Sequence, residues 1–175
     1  MNEAMRTGWI RRKVVWLLAL LPVGCAYYSF SGATIPSHLH TIAIPLAEDR
    51  SVSPVTALDE RLTRLLVDRF VGQTRLSLEP DPEAADAVLF VTIDRYQNEP
   101  TAVGGQERTT RNRVTLSVTA RYVDRTEERE LLRRSFQGFE EYDPVAQGLA
   151  GEETAAFAAL EKIADDIFTA ATSNW

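Results

Sequence analysis

Arg113-Val114-Thr115-Leu116-Ser117-Val118-Thr119-Ala120-Arg121-Tyr122-Val123-Asp124 is the stretch that decides the fold. Val114, Leu116, Val118, Ala120 and Tyr122 fall on one side of an extended chain, and Thr115, Ser117, Thr119 and Arg121 on the other. Side chains alternate between the two faces of a strand, so the pattern predicts a strand with one dry and one wet face. A sheet of such strands must bury its dry face under another layer.

Working outward, Ala87 to Gln97 reads as a neighbouring strand. Its start, Ala87-Val88-Leu89-Phe90-Val91, is apolar on both faces, as in a central strand. Asn98 to Thr110 contains Pro100, Gly104 and Gly105 and reads as a long hairpin tip between the two. A charged turn from Asp124 to Arg129 leads to a third long strand, Glu130 to Tyr142, whose Leu132, Phe136 and Phe139 are its apolar side chains. After a linker with Pro144, Gly148 and Gly151, a closing helix is predicted from Glu152 to Thr169, striped by Phe157, Leu160, Ala164, Ile167 and Phe168.

On the N-terminal side, Leu39 to Leu46 reads as a buried strand stopped by Pro45. Ser53-Pro54 offers a hydroxyl N-cap and a proline at the first helical position. Val55, Leu58, Leu62, Leu65, Leu66 and Phe70 follow at helical spacing, and Gly72 is placed to end the helix. A short strand, Arg75 to Leu78, and the loop Glu79 to Glu83 complete the order β-α-β-β-β-β-α. With only one dry face available, both helices are expected on it. The predicted fold is an α/β two-layer sandwich, two helices on one face of a four- to five-stranded mixed sheet.

The chain begins differently. Arg11, Arg12 and Lys13 precede an apolar run from Val14 to Leu21, and Val23-Gly24-Cys25 ends it at the only cysteine. A basic start, a short apolar stretch and a small-residue junction are the parts of an export signal. The run falls short of the ~20 residues a spanning helix needs. A lone cysteine at that junction resembles a bacterial lipobox, with Pro22 where leucine is usual. The expected organisation is a lipoprotein signal peptide over 1–24, a lipidated tether over 25–38 that attaches to the membrane through acylated Cys25, and one α/β domain over 39–175. Cleavage before Cys25 leaves 15 basic against 24 acidic side chains, a net charge of −9. Such a chain gains nothing from counterion release, which argues against a nucleic-acid partner.

No catalytic constellation emerges. His38 and His40 are the only histidines, and a His-x-His pair needs a third ligand before it makes a metal site. They read as exposed loop residues, with no metal or cofactor expected. Gly-x-Ser-x-Gly and the phosphate-loop and dinucleotide fingerprints are missing. Adjacent acidic pairs such as Asp165-Asp166 cannot converge on one substrate atom. The chain does not read as an enzyme. What stands out is local positive charge. Arg95, Arg108, Arg111 and Arg113 lie along the hairpin of the two long strands, and arginines suit bidentate contacts with phosphate or carboxylate. The competing account pairs them with Asp94, Glu99 and Glu107.

The lipobox cysteine, Tyr28-Ser29-Phe30-Ser31-Gly32-Ala33, Ile35-Pro36 and Thr41-Ile42-Ala43-Ile44-Pro45 followed by a helix resemble the LptE-like lipopolysaccharide-assembly lipoproteins, in particular their Bacteroidetes-type branch. The likeness continues through Pro100-Thr101-Ala102-Val103, Asn112-Arg113-Val114-Thr115-Leu116, Ser135-Phe136 and Phe139-Glu140-Glu141-Tyr142-Asp143. It implies two helices against a four- or five-stranded sheet. It also implies a lipid-anchored outer-membrane protein on the periplasmic side or inside the lumen of a large LptD-like barrel. There the family assists barrel assembly and lipopolysaccharide export. No catalytic residue comes with the family, and its basic ligand contacts match no motif here. The alternative reading of the same features is a lipoprotein that activates a cell-wall synthase or joins a secretion complex.

Overall fold

The computed structural model describes residues 35–101 and 111–173, which lie in one compact unit. The signal segment, Cys25, Arg108 and the hairpin tip fall outside the described residues. The elements are β1 (Thr41–Ala43), β2 (Glu48–Asp49), α1 (Leu58–Gln73), β3 (Ser77–Leu78), β4 (Ala87–Thr101), β5 (Arg111–Asp124), β6 (Arg129–Tyr142) and α2 (Pro144–Thr172). Across the sheet the order is β3-β1-β4-β5-β6. β1 and β2 run parallel to β4 on the same edge, at Ile42↔Ala87 and Glu48↔Thr92, with Pro45 between them. β2 is thus the resumption of β1 after proline denies the ladder a donor. β4, β5 and β6 form an antiparallel meander, so the sheet is mixed as expected.

The alternation that opened the sequence reading is the core. Val114, Leu116, Val118, Ala120 and Tyr122 are fully buried. Register places Leu89, Val91 and Ile93 of β4 opposite Tyr122, Ala120 and Val118, and Phe136 of β6 opposite Val118 from the other side. Both helices cover this face. From α1 come Leu58, Leu62, Leu66 and Phe70, and from α2 Ala159, Leu160, Ile163, Ala164 and Ile167, all with no accessible surface. Burying a side chain of Leu or Phe size contributes about 1.5–3 kcal/mol. Phe70 packs edge-on to Phe168 with ring centres 5.3 Å apart and lies 5.9 Å from Tyr122, so it touches both the second helix and the sheet. Arg69 to Asp165 at 2.5 Å and Arg61 to Glu161 at 2.6 Å bind the helices along their outer seam.

Several boundaries differ from the sequence reading, with β1 shortened to Thr41–Ala43 and β3 to Ser77–Leu78. α1 starts at Leu58, not at Ser53. Ser53 Oγ accepts from Val55 N–H in a local turn, and Ala57, in the left-handed region with φ 60°, turns the chain into the helix. β4 runs on to Thr101, so Asn98 to Thr101 belong to the ladder rather than to the tip. α2 begins at Pro144 because Asp143 caps it, accepting from Val145 and Ala146 N–H at 2.9 Å, with proline in the first turn. Gly148 then breaks the helix with φ 56° before it resumes. Tyr96 O–H donates to Glu152 Oε1 at 2.5 Å and Asn98 donates to Tyr142 Oη at 2.8 Å, near the start of the resumed helix.

Close approach of α2 to β6 depends on Gly138. A Cβ there would lie 2.5 Å from the Ala159 carbonyl oxygen and 2.7 Å from Ile163. Phe139 points the other way from Phe136 and is 49 % exposed, since it is one residue out of phase with Phe136 and Gly138. Ile35 is buried in the same core, so the last residues of the expected tether pack on the domain.

Candidate functional site

Among the described residues, no helix covers the second face of β4, β5 and β6. Its residues follow from the register: Phe90, Thr92, Arg95 and Gln97 on β4; Arg121, Thr119, Ser117, Thr115, Arg113 and Arg111 on β5; Arg133, Ser135, Gln137, Phe139 and Glu141 on β6. Hydroxyls and amides fill the middle. At either end an arginine lies over a phenylalanine, Arg121 over Phe90 at 4.5 Å and Arg113 over Phe139 at 4.6 Å. Such stacking leaves the guanidinium edge free to donate while the ring keeps water from one side of the cation.

Three of the four arginines singled out from sequence lie on this one face. Arg111 and Arg113 are two residues apart on β5, near the hairpin tip. Arg95 is opposite Ser117, four residues along β5 from Arg113, a separation of about 13 Å by strand rise. Two-residue periodicity counted from Ile93 would turn Arg95 inward. A bulge between Ile93 and Arg95 inserts one residue, and both Asp94 and Arg95 then project to the bare side. Asp94 accepts from Thr119 Oγ1 at 2.6 Å. Arg113 pairs with Glu141 at 2.6 Å instead of with Glu99, the residue opposite it. Among the described residues, Arg95 and Arg111 have no ion-pair partner. The predicted pairing with Asp94 and Glu99 is therefore not what holds these cations.

His38 is a correction to the sequence reading. It is not a freely exposed loop residue. Its Nε2 lies 2.6 Å from Oδ2 of the fully buried Asp124, and its Nδ1 lies 3.8 Å from Glu127 Oε1. His38 bridges the two acids, and the three residues bring one ligand atom each within 4.8 Å of one another, a spacing that could hold a metal ion. Asp124 also accepts from the N–H groups of Thr126 and Glu127 and from the Thr126 hydroxyl. Burial pushes its carboxyl up, and these donors together with His38 outweigh it, leaving the group below the usual carboxylate range. Arg75 joins the same region, its guanidinium donating to the carbonyls of Ile35, Pro36 and Leu39. The residues 35–40 are thus fixed to the domain by partners 36 to 86 positions away in sequence, which no local pattern reveals.

With that geometry established, relatives can be placed. The family model described as LptE, lipopolysaccharide-assembly, matches residues 39–171. No curated protein matches the sequence. Among solved structures, a hypothetical protein from Chlamydia trachomatis is 11 % identical with TM-score 0.52, covering 78 % of this chain and 99 % of its own. A homolog of a neuraminyllactose-binding hemagglutinin from Helicobacter pylori is 10 % identical with TM-score 0.54, covering 82 % and 91 %. A protein from Xanthomonas campestris is 12 % identical with TM-score 0.53, covering 78 % and 89 %. At these identities the likeness is one of fold.

Proposed function

This chain belongs to the LptE lipopolysaccharide-assembly family, and from that premise we propose that it is an outer-membrane lipoprotein, anchored by acylated Cys25, that assists assembly of a large outer-membrane barrel and lipopolysaccharide export through it. The observation that carries the reading beyond the family is the bare face of β4–β6. It presents hydroxyls and amides suited to sugar hydroxyl groups or a barrel wall, and arginines suited to phosphates. No helix of the described residues is long and apolar enough to cross a membrane. In this reading attachment rests on lipid at Cys25, and stable anchoring takes more than one acyl chain. Arg108, Arg111 and Arg113 are the working contacts nearest the tip, with Arg95 extending the positive track.

Charge-assisted hydrogen bonds of this kind contribute roughly 1.5–3 kcal/mol each when shielded from water and little when exposed. A combined Arg108→Ala, Arg111→Ala, Arg113→Ala variant is expected to keep the parental melting temperature and lose barrel co-purification or lipopolysaccharide binding. Parental retention of both by the folded variant refutes the assignment of these arginines. Cys25→Ser is expected to leave the chain unprocessed or unanchored, read by fractionation of membranes. Co-purification of a cell-wall synthase in place of a large barrel favours the other lipoprotein role.

A further inference from the structure

β6 is an edge strand: over 14 residues it pairs only with β5, and among the described strands nothing pairs with its other side. Long free edges invite another strand, and proteins usually blunt them with charge. Here the charge is distributed in a particular way. Arg133 and Arg134 lie before the centre, Glu140 and Glu141 after it, and Ser135-Phe136-Gln137-Gly138-Phe139 between them carries none. We propose that the β6 edge is a self-recognition surface, on which a second copy of this chain adds its own β6 antiparallel, the two meeting at Gln137.

The argument is one of register. With Gln137 opposite Gln137 of the second copy, Arg133 faces Glu141 and Arg134 faces Glu140, and the two-fold repeats both pairs. The faces agree as well. Arg133 and Glu141 lie on the bare side of the sheet, while Arg134 and Glu140 lie on the helix side with Phe136 and Gly138, because no register shift interrupts β6 between them. Phe136 then falls opposite Gly138 of the other copy, and Ser135 opposite Phe139. Opposite charges directly across a strand pair stabilise it, and like charges disfavour it. A shift by two residues in either direction breaks one or both charge pairs, so the pattern selects one register as well as one orientation.

The same charges have modest partners within the single chain. Arg133 pairs with Glu130 at 2.7 Å, Glu141 with Arg113 at 2.6 Å, and Glu140 with Lys162 at 2.7 Å, all at the surface. Lys162 also donates to the Phe139 carbonyl at 2.9 Å, so this α2 side chain lies over part of the edge. On pairing, Glu140 exchanges Lys162 for Arg134 of the second copy and the Phe139 carbonyl is released to the incoming strand. Lys162 is thereby a gate on self-association.

The test uses full-length chains carrying two different tags, co-expressed and extracted in detergent. One variant holds Arg133→Glu and Arg134→Glu, the other Glu140→Arg and Glu141→Arg. Each is expected to lose at least tenfold in capture of its own differently tagged copy, and mixing the two is expected to restore parental capture, since every opposed pair is then complementary. Unchanged capture within either variant, or no recovery on mixing, overturns the proposal, as does capture that depends on a co-purifying barrel. Gln137→Cys supplies a readout that leaves the charges alone. It should form a self-disulfide under mild oxidation, whereas Ser135→Cys, several rungs from its own copy, should not. Equal crosslinking at both positions rejects the register. Lys162→Ala should raise the crosslinked fraction at Gln137→Cys, and a fall would reject the gate.

Discussion

The two faces of one sheet obey different rules in this molecule. On the covered face, β4, β5 and β6 present Leu89, Val91, Ile93, Val114, Leu116, Val118 and Tyr122 to two helices, and none of these has appreciable exposure. On the bare face the same strands present hydroxyls, amides, five arginines and two half-covered phenylalanines. The covered face is specified by volume and burial, so each of its positions is constrained by many neighbours. The bare face is specified by a bulge, by cross-strand pairs and by stacking, each involving two or three residues. Stability resides on the covered side, and the bare side is free to vary.

The sharpest way to break this comparison is to shorten buried side chains. Leu62→Ala and Leu160→Ala are each expected to cost about 2–5 kcal/mol through lost burial and the cavity left behind, read from denaturant midpoints. Midpoints unchanged in both would contradict the two-layer packing. Next comes Gly138→Ala, where the added methyl meets the Ala159 carbonyl oxygen at 2.5 Å and must push α2 off β6. Overpacking of this sort costs about 1–3 kcal/mol, and a neutral result would show that the helix rides loosely on the edge strand.

Asp124→Asn probes the one buried carboxylate of the described core, and about 1–3 kcal/mol is expected from its weakened hydrogen bonds. The native carboxyl is held below its ordinary value, so its contribution is complete above the unfolded value and fades as pH falls through the folded one. Thermal melts of parent and variant should therefore differ most at neutral pH and converge in acid. A gap that widens on acidification would reverse the assigned sign. The smallest effect belongs to the bare face. Arg121→Ala removes an exposed cation–π contact with Phe90 and should change stability by only about 0.5–1 kcal/mol. A loss as large as that of Leu62→Ala would mean the bare face carries the fold after all.

The same contrast explains what was legible in the sequence. Burial imposes a period, and the strict alternation from Val114 to Tyr122 and the helical spacing from Leu58 to Phe70 announced the covered face and both layers. Boundaries set by single contacts were less visible. Ser53-Pro54 has the chemistry of a helix start, yet the serine caps a turn and the helix waits for Ala57. Asp143 and Pro144 carry the same chemistry and do open one, ahead of the glycines that suggested a linker. Arg95 reached the bare face through a bulge that periodicity cannot foresee. The His38 bridge joins residues 86 positions apart, and nothing around either one signals the other.

The three carbonyls held by Arg75 have a mechanical meaning. If Cys25 is the lipid anchor, the ten-residue span to Ile35 can reach at most about 35 Å when fully drawn out. Any pull along that leash enters the domain where Arg75 and the His38 bridge grip the backbone. The load meets the residue groups just after α1 and at the end of β5 before it reaches the thin β1 ladder, so the core is moored at a reinforced point.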